Sequence, residues 1–551
     1  MELDQDCSLG KWQSAFRLDT LPYKKQVVET FNWIERLHSP PIIIYVFIML
    51  IEWWKNMRVG PKLRSSSALR SHLKLLSQPT PFHPRSKHAP AFLSRFYAVV
   101  AAENPFKVAP TELLPGLSKD EFRSRRKRFF ERLPNYSAFL LTASEIQYSS
   151  NDIPYEFRQN SHFLYLTGLE QPDALAVFTK SQSKTEYLLF LPSRDPIREQ
   201  WDGERAGLDE AIDSLEADAA FELSAVQEKL WRILSHLKNI YVPRSRTGSI
   251  SLSPPVLQAL KEMQGIQVST GDMIIDSLRL IKSSAEADRM RLAADIAGKG
   301  FTKMMRVCAE GMTELALASE FESTCRKHGA PYNSFPCVVG SGKNAAVIHY
   351  LLKREILQRN EFVLVDAGCE VSGGYVSDIT RTWPVNPTYS SACHRDLYNF
   401  ILGAQEDCIK HLAQHIREKT PITLNDLHAF SVRRMMEGLK TFGIIKASDL
   451  SSHSALSDYY RYNPTHIGHY LGMDVHDTPS IPTSYPIQSG MVVTVEPGIY
   501  LPLKDELLPR EFRGFGVRIE DDIIIGRDDI EVITRNVPKN LEEIAKLRQS
   551  H

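Results

Sequence analysis

The sequence predicts a two-domain α/β protein, and three observations carry that expectation. The chain has 551 residues, more than one ordinary domain holds, and 43% of them are hydrophobic, enough for more than one core. Short apolar strand-like runs alternate with helical patterns over residues 104–275. After residue 276 the pattern changes to long helices followed by strands that carry isolated carboxylates and histidines. Lys+Arg and Asp+Glu are equal at 66 each, so no net charge pulls the chain toward nucleic acid or acidic partners. The seven cysteines form no C-x-x-C pair, which argues against a disulfide scaffold or a zinc ribbon and for a reducing compartment.

Residues 1–56 form an extension without an assignment. Its apolar run Ile42–Ile51 is too short for the roughly 20 residues that span a bilayer. A short buried or interfacial helix and a non-native extension of the reading frame both remain open. Residues 57–103 are basic and serine-rich, and no acidic residue occurs between Glu52 and Glu103. Leu69, Leu73 and Leu76 share one helical face. That composition is the one expected of a mitochondrial transit peptide starting at Met57; the alternative is a basic linker. Arg95–Ala98 is a weak candidate processing site.

In the first folded domain, residues 104–275, the pattern predicts a charged helix over Lys119–Leu133. Strands are expected at Ala138–Thr142, Phe163–Gly168, Ala174–Phe178 and Tyr187–Leu191, then a helix at Val226–Lys238 and a strand at Ile240–Pro243. This domain holds no cysteine and no clustered histidine, so a substrate-limiting or dimer-forming role is its default. In the second domain, residues 276–545, one long helical pattern covers Ala285–His328 and a strand is expected at Ala346–Tyr350. Helices follow at Ala392–His415 and Leu424–Phe442, then strands from Thr465 and a last helix near Asn540–Gln549.

Val363 to Thr380 reads as a β-hairpin turning at Ser372-Gly373-Gly374. Folding about Ser372 sets Asp366 opposite Asp378, about 4.5–5.5 Å apart between Cβ atoms. Two carboxylates buried that close need a shared proton or a cation; a different register at a solvated rim would need neither. Outside the hairpin, His349 before it and His469, Glu496 and Glu520 after it also sit in apolar, strand-like surroundings. Period-two patterning puts Arg518, Glu520 and Asp522 on one face and Phe515, Val517 and Ile519 on the other, and sets Glu496 with Thr494 against Val493 and Val495. Taken singly, each reads as an ion pair or a hydrogen-bonded core histidine. Together, two Asp, two Glu and one His form an oxygen-rich set better suited to Mn²⁺ than to structural zinc. Four carboxylates exceed the need of one divalent ion and fit two.

The segments Asp366-Ala-Gly-Cys-Glu370, Ser377-Asp-Ile-Thr-Arg-Thr-Trp383, Gly468-His-Tyr-Leu-Gly-Met-Asp-Val-His-Asp477, Val495-Glu-Pro-Gly-Ile-Tyr500 and Val517-Arg-Ile-Glu-Asp521 resemble the Xaa-Pro aminopeptidase (aminopeptidase P) family, and most closely its mitochondrial branch, which includes the intermediate-cleaving peptidase. Ser150–Tyr155 and Arg194–Asp202 carry the likeness into the first domain, so that it covers about residues 104–545.

The resemblance implies a creatinase-like N-terminal α/β domain followed by an α+β pita-bread metallopeptidase domain. It implies metal ligands at Asp366, Asp378, His469, Glu496 and Glu520, substrate-contacting histidines at His349 and His476, a supporting arginine at Arg518, and Tyr500 near the site. Two Mn²⁺ ions per active site would activate a water, Glu496 would accept its proton, and His349 or His476 would stabilise the oxyanion. The expected reaction is release of the first residue from a peptide or protein N-terminus, preferentially before proline, in the mitochondrion on its matrix side, with the cytoplasm as the alternative location. Nucleic acid and stable membrane insertion are not expected as partners, and a homodimer is compatible with the first domain. An Xaa-Pro dipeptidase and a catalytically dead binding module are the alternatives.

Two departures from the family pattern stand out. Asp366 and Asp378 are twelve residues apart where the family usually has eleven, and Thr465 stands where it commonly has a histidine, with His466 next to it. An extra residue in a turn costs little, whereas one inside a strand would send Asp378 to the other face.

Overall fold

The computed structural model describes residues 106–244, 252, 254–261, 267–389 and 391–549. The extension 1–56 with its apolar run Ile42–Ile51, the transit-like segment 57–103 and the Arg95–Ala98 site lie outside the described residues. Among the described residues no helix is long and apolar enough to cross a membrane.

The first folded region opens with the short antiparallel pair Glu112–Leu114 and Leu117–Ser118 and then α1 (Lys119–Arg132), which is capped where Ser118 Oγ accepts the amide of Glu121. It continues through β1 (Ser137–Thr142), α2 (Ser161–Thr167), β2 (Leu175–Lys180), β3 (Thr185–Leu191), β4 (Ala219–Glu222), α3 (Val226–Leu234), β5 (Asn239–Val242), β6 (Gln267–Thr270) and α4 (Asp272–Arg279). The strands form a mixed six-stranded sheet in the order β4-β3-β2-β1-β5-β6. Both faces are covered. Ala138, Leu140, Val177 and Ile240 pack with Leu230 and Leu234 of α3, while Phe139, Leu141 and Phe178 pack with Phe122 and Phe129 of α1. Burial on both faces explains why these strands read as continuous apolar runs rather than alternating ones.

The strand expected at Phe163–Gly168 is instead α2. Asn160 accepts the amide of Phe163 at its start, and Gly168 closes it in the left-handed conformation, φ 70°. The helix is buried nearly all round, which removes the amphipathic period that would have marked it.

The second region opens with a helical pair rather than one long helix. α5 (Ser284–Val307) and α6 (Glu314–Lys327) are separated at Gly311, φ 86°, and Thr313 caps the second. Then come β7 (Val338–Ser341), β8 (Phe362–Ala367), β9 (Cys369–Val371), β10 (Tyr375–Val376), β11 (Ile379–Pro384), α7 (Ala392–Glu418), α8 (Leu424–Thr441), α9 (His453–Tyr462), β12 (Val492–Val495), β13 (Gly498–Leu501), β14 (Phe515–Arg518), β15 (Asp521–Ile525), β16 (Ile530–Val532) and α10 (Leu541–Gln549). The sheets are β7-β8-β11, β12-β15-β16, the pair β13-β14, and β10-β9 with Tyr332–Asn333. Ala346–Tyr350 is not a strand: a 3₁₀ turn over Gly342–Ala346 runs into a loop without a pairing partner among the described residues.

Strand parity positions the site. Ile499, Leu501, Phe515, Val517 and Ile519 enter one core with α7, α8 and α9. Val493, Val495, Ile523 and Ile525 enter another with Leu412, Leu424 and Leu427. Val363, Val365 and Ile379 enter a third with α5. The intervening residues Asp366, Thr380, Thr494, Tyr500, Arg518 and Glu520 are therefore turned to the opposite side of their strands, as a two-residue period requires.

Candidate metal centre

The hairpin turns at Gly373, not at Ser372. Val371 pairs with Tyr375 and Glu370 with Val376, and beyond the break Ala367 pairs with Ile379 and Asp366 with Thr380. Asp366 is therefore offset from Asp378 rather than opposite it. Gly373 and Gly374 have φ of 91° and 84°, a conformation that costs glycine nothing, so both fit in the turn. The register is the same on both sides of the break, and the twelve-residue spacing leaves no bulge in the strands. At the break, a Cβ on Gly368 would lie 1.8 Å from the carbonyl oxygen of Ser377, so only glycine allows this approach.

Asp378 follows Ser377 at the break, and its Oδ2 is 3.4 Å from His469 Nε2. Its backbone amide donates to Asp522 Oδ2 at 3.0 Å. His469 does not lie on a strand, as its surroundings suggested. It runs in an irregular segment beside β12, held where Thr494 N donates to the His469 carbonyl and Glu496 N to that of Ile467. Gly468 permits this closeness, since a Cβ there would sit 2.0 Å from Thr494 O. His469 Nδ1 lies 3.1 Å from the Tyr470 carbonyl and can only donate to it, which turns Nε2 toward Asp378 and Glu496 Oε1, the latter at 3.6 Å, where it becomes a ligand atom once it gives up its proton. Glu520, just after β14, accepts from Thr380 Oγ1 at 2.6 Å. Ligand atoms of Asp378, His469 and Glu520 all lie within 4.8 Å of one another.

Arg518 joins three of these elements: Nε donates to Thr380 Oγ1 at 2.9 Å, Nη1 to the Tyr500 hydroxyl at 2.6 Å, and Nη2 to Asp366 Oδ2. Asp366 Oδ1 is buried and has no partner among the described residues, an acceptor aimed at nothing the chain supplies.

The cluster is short of positive charge. Burial pushes Asp366 up to about 7; Arg518 opposes this, while Asp378 and Glu496 add to it. Burial also raises Glu496, against the pull of His469 and Arg518, and raises Glu520 well above the carboxylate range with help from Asp378 and Glu496. Burial alone would lower His469, yet Asp378 and Glu496 outweigh it and bring the imidazole to about 9. A group of carboxylates this desolvated holds either protons or a cation. Oxygen donors, one imidazole lone pair and an orphaned buried oxygen fit a hard or borderline divalent ion.

His476 stands edge-on to His469, 4.5 Å between ring centroids. His349 is exposed on the 347–356 loop and close enough to His476 to lower its proton affinity, behind the larger effects of burial and of His469. His466 is not in the cluster: its Nδ1 bonds the Gly468 carbonyl and its ring stacks on His428. Thr465 Oγ1 donates to Asn463 Oδ1.

Sequence reasoning passed over the supports. Thr380 bridges Glu520 and Arg518, and its place two residues after Asp378 was the available signal. Asp522 was placed on the right face without a role, and its buried carboxylate fixes the Asp378 amide. The His476 loop is held from both domains: Arg279 donates to Asp474 and Asp477, Lys282 to Asp477, and Arg158 to Glu370 and the Met473 carbonyl. These partners are far apart in sequence and only the fold joins them. Arg279 is 3% exposed, and Arg279→Ala would take one donor from each carboxylate, leaving Asp477 with Lys282 and Asp474 with Arg158 and Ser161. The expected loss is about 1–3 kcal/mol of stability, read as a fall in thermal midpoint.

Over most of its length the chain is similar to known metallopeptidases. Residues 288–527 match the metallopeptidase family M24, and residues 122–241 match the aminopeptidase P N-terminal domain. The chain is 36% identical over 459 residues to Xaa-Pro aminopeptidase 3 of Rattus norvegicus, covering 81% of this chain and 88% of that one. It is 36% identical over 451 residues to the mitochondrial Intermediate cleaving peptidase 55 of Arabidopsis thaliana, covering 82% and 87%. The solved structure of Pseudomonas aeruginosa aminopeptidase PepP superposes with a TM-score of 0.72 at 31% identity, covering 79% of this chain and 98% of that one. The fold is accordingly that of aminopeptidase P, an N-terminal α/β domain and a C-terminal pita-bread domain. The chain belongs to the Xaa-Pro aminopeptidase family and is a divalent-metal-dependent aminopeptidase.

Proposed function

We propose that this chain is a dinuclear manganese aminopeptidase that releases the first residue of peptides, preferentially where the second residue is proline, and that it trims the N-termini of imported proteins inside mitochondria. The observation that carries the reading is the set Asp366, Asp378, His469, Glu496 and Glu520, four carboxylates, two buried and two largely so, with one imidazole among them. That number of carboxylates exceeds what one divalent ion needs, and the excess of oxygen over nitrogen favours Mn²⁺ over zinc. The bound ions would supply Lewis acidity, polarising the scissile carbonyl and making a water nucleophilic near neutral pH.

The chain's own residues do the rest. Glu496, whose burial raises its affinity for a proton, accepts the proton of the attacking water. His476 and His349 flank the site and donate to the developing oxyanion or to the leaving nitrogen, which proline leaves without a hydrogen of its own. Arg518 holds Asp366 in place through Nη2 and is itself tied to the Tyr500 hydroxyl through Nη1. The mitochondrial assignment draws on the basic, acid-free segment 57–103 and on the relative of that compartment. Residues 104–275 and 276–545 are the proposed domain limits, and the first is the proposed contact of a homodimer.

Residues 104–551 with added Mn²⁺ should release the first residue from an Xaa-Pro tripeptide and from Tyr- or Leu-initiated peptides, with Asp378→Ala inactive. Cleavage of Xaa-Pro dipeptides alone would make it a dipeptidase. No release from any of them on manganese addition would overturn the enzyme reading.

A further inference from the structure

We infer that Glu314 is a positioning residue for His349: its buried carboxylate fixes both ends of the loop that presents this imidazole. The inference rests on the proposed role of His349 at the substrate. Glu314 is the first residue of α6 and is fully buried. Its Oε1 accepts from Ser341 N at 2.8 Å, from Ser341 Oγ at 3.0 Å and from Asn344 Nδ2 at 3.0 Å. Its Oε2 accepts from Glu355 N at 3.0 Å. One carboxylate thus grips the chain just before the loop and again just after it.

The ten residues between, 345–354, leave the 3₁₀ turn at Ala346 and form no strand, and they carry His349 with the exposed Val347, Leu351 and Leu352. Two features keep them from collapsing elsewhere. Lys353 is held at φ 50°, and its Nζ donates to the carbonyls of Cys337 and Leu351, both at 3.1 Å. Tyr350, next to His349, is buried against Val338, Leu364 and Tyr500, beside the strand that carries Asp366. The loop is therefore a tether fastened at its ends, with one side chain docked on the site, and Glu314 is the fastening.

The chemistry calls for a carboxylate. Four donors converge on two oxygens, and an ionised carboxylate offers about four lone-pair sites and no hydrogen. Glutamine at 314 keeps one oxygen, which the three donors at Oε1 would claim. Its amide NH₂ would then face the Glu355 N–H, donor against donor, and the far end of the loop would come free. The helix start also favours the negative charge, which Glu314→Gln removes.

The test is a double-mutant cycle with an Xaa-Pro tripeptide and saturating Mn²⁺: wild type, Glu314→Gln, His349→Ala and both together. Bound metal and thermal midpoint are measured alongside. Glu314→Gln is expected to lower kcat roughly 10- to 100-fold with KM and bound metal unchanged, as for a small displacement of a positioned group. The double variant should be no slower than His349→Ala, because both changes remove the same contribution. Asn344→Ala, which removes one donor and keeps the carboxylate, should give a smaller fall in kcat that also vanishes in the His349→Ala background. It takes the place of Glu314→Gln in the cycle if that variant does not fold. Wild-type kcat in these variants while His349→Ala is impaired, or effects that multiply in the double variant, would overturn the inference alone. Wild-type kcat in His349→Ala would overturn the role of His349 and the inference with it.

Discussion

Glu496→Gln is expected to lower kcat about 10²- to 10⁴-fold, the range for loss of a positioned general base. The substitution keeps the size of the side chain and one oxygen donor, so the metal is weakened rather than lost and KM changes little. Stability should move the other way. Glu496 is a largely buried carboxylate, and its burial is what raises its proton affinity, against the pull of His469 and Arg518. Removing that charge removes the desolvation cost that outweighs this pull, so the ion-free Glu496→Gln variant should unfold at the same or a higher temperature than the ion-free wild type. A variant that loses activity because it unfolds would show the opposite, and thermal melting with a steady-state assay separates the two.

Stripping divalent ions is expected to lower the thermal midpoint, and to lower it more at pH 8 than at pH 5. In the ion-free protein Asp366 is raised to about 7, against an ordinary value of about 3.9. A carboxyl raised on folding contributes stability that is complete below its ordinary value and is lost as pH climbs through its folded value. The window is therefore about pH 4 to 7, and the loss for Asp366 is on the order of a few kcal/mol. His469, raised to about 9, adds a loss of the same sign as pH passes from about 6.5 to 9. Bound ions favour the ionised Asp366 and the neutral His469 and so offset both losses, and their binding releases protons, so affinity itself rises with pH. The gap between chelated and manganese-loaded melting curves should widen steadily from pH 5 to pH 8. A gap independent of pH would mean that the cluster is not where the ions bind.

Most of the centre could be read in the sequence, because strand parity is a local property. Arg518 and Glu520 alternate with Val517 and Ile519, and each apolar partner enters a core, so the polar face follows from the period alone. His469 was found for a different reason, the linear run around it, since its backbone is irregular and held by Thr494 and Glu496 from another segment. Pairing was less legible. The hairpin centre moved from Ser372 to Gly373 because two consecutive glycines can both take positive φ, a freedom that residue counting does not weigh. Phe163–Gly168 was misread because a short helix buried nearly all round shows no helical period, although Asn160 and Gly168 carried the capping signals. Ala346–Tyr350 has strand-forming residues, but no neighbouring strand comes to meet them. The helix His453–Tyr462 escaped notice, with little more than Ser452 as its cap and Ala455, Tyr459 and Tyr462 as its buried face. Supports such as Thr380, Arg279 and Glu314 act across long separations in sequence, and nothing local marks them.

The most direct test of the metal centre is a calorimetric titration of the ion-free protein with Mn²⁺ in two buffers of different ionisation enthalpy, so that bound ions and released protons are counted together. Two ions per chain are expected, with net proton release near neutral pH, and with both signals lost or halved in Asp378→Ala. No saturable binding, or binding in Asp378→Ala with the same stoichiometry and proton release as the wild type, would contradict the assignment of these residues as a metal centre.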